Sequence, residues 1–156
     1  MFALFGWQAS AQLVISQVTN WREELDATDL TTPEEAGADL NPTLETSINY
    51  NQLDILNVAT TQDWKITVSR SDINWPGAFT PYVRRNSNGV PCGSCPGVNV
   101  VTSVTGYMQI TALEQDFIFG TGEVSGIDIQ YRVEGISLTV DAQNYSTEII
   151  FTLYGD

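Results

Sequence analysis

Hydrophobic residues recur at every second position along most of this chain, and that period decides what it can fold into. Alternation with period two sends apolar side chains to one face of an extended segment and polar ones to the other, the pattern of a strand with one buried face. Residues 64–69, WKITVS, are the cleanest case, with Trp64, Ile66 and Val68 on one side and Lys65, Thr67 and Ser69 on the other. Residues 127–134, IDIQYRVE, repeat the pattern with Ile127, Ile129, Tyr131 and Val133. Their neighbour is expected at Ile136, Leu138 and Val140, after a break at Gly135. Residues 147–154 are apolar on both faces, Ile149, Phe151 and Leu153 alternating with Ile150, Thr152 and Tyr154, which predicts a central strand. Earlier strands are expected over residues 13–21, 44–50, 82–85, 98–104, 107–111 and 117–119.

Short strands separated by Gly, Asn, Asp and Pro clusters predict an all-β, antiparallel sandwich. At 156 residues the chain suits one domain, long enough to bury roughly 70% of the surface its unfolded form exposes. One stretch departs from the alternation. Residues 26–42, DATDLTTPEEAGADLNP, are acidic and Pro-bounded, and Thr32, Pro33 and Glu35 read as N-cap, first-turn proline and capping-box acid. A single short helical turn is expected there, inside an otherwise irregular surface loop.

The opening residues 1–11 look like a truncated signal-peptide remnant, a short apolar stretch running into the small-x-small site Ala9-Ser10-Ala11. On that reading the domain spans residues 12–156 and lies outside the cell. No stretch reaches the roughly 18 apolar residues of a membrane-spanning helix. Nineteen acidic residues against six basic ones give a formal charge of -13. Phosphate recognition needs a basic stripe, which disfavours nucleic acid as a partner. Such charge also keeps an exported protein soluble.

The chain contains no histidine. Ser-His-Asp and Cys-His nucleophilic sites are therefore excluded, as is any histidine-ligated metal. No two carboxylates are marked as an acid–base pair, so no catalytic residues are assigned and the chain is read as a non-enzyme. Asp26, Asp29, Glu34, Glu35 and Asp39 are weak calcium candidates, because hard cations take several oxygen ligands from flexible acidic loops; their spacing does not match an EF-hand. Apart from that, no cofactor is expected.

The only two cysteines, Cys92 and Cys95, sit in the loop PCGSCP. Pro96-Gly97 follows at once, so the helix that would lower the first thiol's pKa is missing, and a local disulfide pinning the loop is the expected arrangement. Such a bond fits an oxidising compartment. Trp75 lies in a turn-rich segment where its ring either stays exposed or folds back over the sandwich end. With Tyr82 and Arg84 it forms a candidate platform for a glycan or a surface protein.

Residues 131–140, YRVEGISLTV, followed by residues 145–153, YSTEIIFTL, resemble the closing strands of pilin-like and spore-coat-type secreted β-sandwiches. Residues 64–68 resemble a W-x-I-x-V strand of small secreted surface proteins from Bacteroidota. The resemblance covers about a third of the chain and implies an Ig-like, pilin-like fold and assembly into surface fibres by strand addition. Residues 12–21, QLVISQVTNW, then become a candidate donor strand carrying Leu13, Val14, Ile15 and Val18. The expected role is a structural subunit of an extracellular filament, a homo-oligomer or homopolymer. The alternative is a secreted carbohydrate- or protein-binding adhesin module. Residues 12–21 serve equally well as the first strand of their own sandwich.

Overall fold

In the computed structural model, residues 11–16, 20–25, 43–101, 106–137, 140–141 and 143–155 are described. They form two antiparallel sheets in two layers, a β-sandwich, with no helix among them. The first sheet contains β1 (Gln12–Ser16), β2 (Thr43–Glu45), β3 (Asn51–Leu56), β5 (Thr80–Arg85), β6 (Val90–Pro91), β8 (Met108–Gln109) and β10 (Val124–Glu134). The second runs in the order β11 (Thr147–Gly155), β4 (Asp63–Asp72), β9 (Gln115–Thr121) and β7 (Gly97–Val101).

The long strand β10 is the spine of the first sheet. On one side it pairs with β3 and then β2, on the other with β6 and then β5, so each flank is a strand interrupted by a short loop. A register shift between Val124 and Ile127 marks a bulge, and Gly126 supplies the φ of 69° that a side-chain-bearing residue rarely adopts. Beyond the bulge, Ile127, Ile129 and Val133 are buried while Asp128 and Arg132 face away from the core.

Period-two alternation on both sheets builds the core. Leu53 and Ile55 of β3, Ile127 and Ile129 of β10 and Val83 of β5 pack with Trp64, Ile66 and Val68 of β4 and Phe117 and Ile118 of β9. Each such side chain contributes roughly 1.5–3 kcal/mol by leaving water. A smaller cluster lies where β10 ends: Phe79, Val133 and Ile136 are buried together, with Trp21, Leu44, Trp75, Val140 and Tyr145 against them. There the Phe79 ring meets Trp75 edge-on at 5.6 Å and Tyr145 at 5.4 Å, a geometry set by the ring quadrupoles.

Three expectations need correction. Residues 147–154 do form a strand, but β11 lies at the edge of its sheet, with β4 as its neighbour. Both its faces are apolar because Ile149, Phe151 and Leu153 pack on the core while Ile150 and Tyr154 remain exposed on the outside. Ile136 and Val140 do not continue the sheet; they fold into the smaller cluster, and Leu138 lies outside the described residues. The strand expected over residues 44–50 is cut short: β2 ends at Glu45, residues 46–50 leave the ladder, and β3 opens only at Asn51. The helical turn at residues 32–36 and residues 1–10 of the remnant expected over 1–11 lie outside the described residues.

Candidate interaction surface

Sheet edges and a groove between them are the most distinctive surface. β1 pairs with β3 from Gln12↔Leu56 to Ser16↔Gln52 and ends the first sheet on that side. Leu13 lies opposite Ile55 and Ile15 opposite Leu53, so both share the core-facing side, while Val14 lies opposite Asp54 on the outer side. None of the three is fully buried: Leu13 packs on the rim of the core and Ile15 is 36% exposed. Val18 lies outside the described residues. β11, the edge of the second sheet, comes near β1 without pairing with it.

Beside these edges a groove of about 1630 Å³ opens, walled by Ile15, Leu44, Tyr131, Ile149 and Phe151 and by the aromatic cluster of Trp21, Trp75, Phe79 and Tyr145. It exceeds the roughly 300–1,000 Å³ of a small-molecule pocket. Tyr131 closes its inner wall, and burial, followed by the neighbouring Tyr50, pushes its phenol far above the ordinary tyrosine range. Trp75 belongs to this wall. Its indole N–H donates to the Phe79 carbonyl at 2.8 Å and its ring is half-buried.

Tyr82 and Arg84 project from the outer face of the first sheet, where cross-strand register places them beside Arg132 and Gln130. There the Tyr107 ring lies between two guanidinium groups, Arg132 at 3.9 Å and Arg84 at 4.7 Å from its centroid. Tyr82 meets the same ring edge-on at 6.4 Å. Arg132 is held by Glu45 at 2.5 Å and Glu134 at 2.9 Å, and Arg84 donates to Gln130 Oε1 at 2.9 Å. Burial raises the Tyr107 phenol above its usual value. With its guanidinium over the Tyr107 ring and N–H groups on Glu45 and Glu134, Arg132 is committed to the sheet. Alternation of residues 127–134 already placed Arg132 outward; Tyr107 could be found only with the strand order.

Cys92 and Cys95 form a disulfide with Cα atoms 5.1 Å apart. The loop is anchored on the turn after β9: the Cys92 N–H donates to the Glu123 carbonyl at 3.0 Å, and the Cys95 Sγ lies against Gly122. The calcium candidates Asp26, Asp29, Glu34, Glu35 and Asp39 lie outside the described residues. Among the described residues no group of three or more acidic or cysteine side chains is arranged to hold a metal, and no helix is long and apolar enough to cross a membrane.

Comparison with family models, with curated proteins and with solved structures finds no match to this chain.

Proposed function

We infer that this chain is a structural subunit of an extracellular filament, joined to its neighbours by β-strand addition. The observation that carries the reading is the position of β1, a five-residue strand at a sheet edge that contributes no fully buried side chain to the core. Its attachment consists of the ladder to β3, hydrogen bonds from Ser16 Oγ to Asp54 Oδ2 at 3.1 Å and to the Gln52 carbonyl at 3.3 Å, and the packing of Leu13 on the rim of the core. An identical strand from a second copy would remake every one of these bonds. Exchange therefore costs little beyond the entropy of association, and a head-to-tail contact of this kind that does not close yields a fibre. The groove beside β1 is sized for polypeptide, and a donated segment gains main-chain hydrogen bonds at the β3 edge while its alternate side chains fill the apolar wall. The disulfide fits an oxidising compartment outside the cytosol.

Removing residues 12–21 from the chain tests the reading. The truncated protein should remain folded, no longer form fibres in sedimentation velocity, and gain thermal stability when a synthetic peptide of residues 12–21 is added. Unfolding on truncation with no rescue by the peptide would make β1 an ordinary part of its own sandwich.

A further inference from the structure

We propose that β11 is a second, independent contact, at which two copies of this chain pair edge to edge about a two-fold axis. Exposed strand edges are templates for association, and folded proteins guard them with short strands, bulges, prolines or charges. The other edges here carry such guards. β8 is two residues long and β1 five, while β7 follows Pro96, begins at Gly97 and is broken by a register shift between Val98 and Val100. β11 is neither short, bulged nor interrupted by proline, and carries a single charge. Its nine residues, TEIIFTLYG, pair with β4 from Thr147↔Asp72 to Gly155↔Trp64 without a shift, and among the described residues no strand lies on its other side. It contains one charged residue, Glu148, and no proline or lysine.

The occupant follows from the strand's own sequence. A two-fold axis perpendicular to the sheet keeps inner faces together, so each residue pairs with one of the same parity. Among such registers, the one centred on Phe151 engages all nine residues, because Thr147 then faces Gly155. It sets Ile149 against Leu153 and Phe151 against its own copy on the inner face, where all three are only half-buried in the single chain. On the outer face it sets Ile150, 42% exposed, against Thr152, and Glu148 against Tyr154, also 42% exposed. No like charges meet directly, although the whole chain carries -13. Salt should therefore strengthen the pairing by screening the long-range repulsion between copies.

Register-specific cross-linking of the full chain tests this, because Cys92 and Cys95 are already bonded to each other. Ile150→Cys and Thr152→Cys chains, mixed and oxidised, should give a covalent dimer that neither variant gives alone. Separately, Ile150→Lys should sediment as a smaller species than the parent chain in sedimentation equilibrium, keeping only assembly through β1, at concentrations on the order of 100 µM suited to a small interface. Matching thermal melts for all variants establish that folding is retained. Covalent dimers absent from the mixture, or equally abundant with one variant alone, would overturn the proposal, as would an Ile150→Lys chain that sediments like the parent. The contact does not involve β1, so it should persist when residues 12–21 are removed.

Discussion

The indole of Trp64 occupies the space where a side chain on Gly120 would be: a Cβ built there would lie 2.1 Å from Trp64 Cζ2. The two residues face each other across β4 and β9, and the indole N–H donates to the Gly122 carbonyl at 2.7 Å. Trp64 is 2% exposed, so it has no open side to move toward. Gly120→Ala should therefore destabilise the fold by about 3 kcal/mol through overpacking, a fall of roughly 6–12 °C in Tm. Scanning calorimetry checks the size of the loss. A melt unchanged from the parent would mean that the indole is not seated on Gly120.

Arg85 has no exposed surface and sits opposite Ile129 on the core-facing side of β5. Its Nη1 donates to the Ser87 carbonyl at 3.3 Å and to the Asn88 side chain, while its Nε and Nη2 are buried without a partner. Burial lowers its pKa, and a guanidinium held from water without a carboxylate is costly. Arg85→Met, which keeps the volume and drops the charge, should match or exceed the parent in stability, by up to about 3 kcal/mol. Denaturant unfolding measures it. A clear loss would show that fixing the 86–89 loop outweighs the desolvation of the charge.

The strands with one clean apolar face were legible before any coordinates. Trp64, Ile66 and Val68, and Ile127, Ile129 and Val133, sit where their alternation placed them. β3 was not read, although Leu53 and Ile55 alternate with Gln52 and Asp54, because the run opens on the turn-like Asn49-Tyr50-Asn51. β11 was misplaced for a physical reason: apolar residues on both faces signal either burial in a sheet centre or an edge awaiting a partner, and periodicity is identical in the two cases. Arg85 follows the alternation of Val83, but its charge argues for solvent, and only the strand pairing shows which wins. Of the candidate site, Leu13 and Ile15 were legible as an apolar strand. The groove beside them depends on strand order and could not be read.

Glu114 accepts hydrogen bonds from the Thr67 hydroxyl and, at 2.8 Å, from the Tyr154 hydroxyl. The Thr67 bond is the larger cause and the Tyr154 bond the next, and together they hold the Glu114 carboxyl below its ordinary value. The same bond raises the Tyr154 phenol. A depressed carboxylate contributes stability above its unfolded pKa and loses it as pH falls through the folded value. A raised phenol contributes below its unfolded pKa and loses that as pH rises through the folded one. Glu114→Gln should thus flatten the stability–pH curve on both the acid and the alkaline limb. Melts across the pH range follow it, and an unchanged curve would place the titration elsewhere.

The disulfide closes so small a loop that chain entropy gives it about 2 kcal/mol at most, against roughly 4.7 for a 100-residue loop. Its consequence should be local. Cys92 bonds to the Glu123 carbonyl and Cys95 packs on Gly122, so the bridge holds the link between β6 and β7 against the turn that joins β9 to β10. Replacing both cysteines by serine should lower Tm by only a few degrees, while amide exchange quickens at residues 90–98 and 122–125. The same variant should leave exchange in β1 and β11 unchanged, because Leu13 and Phe151 pack on the core independently of the loop. Faster exchange along β11 would show instead that the loop's shape is transmitted through β9 and β4 to the sheet edge.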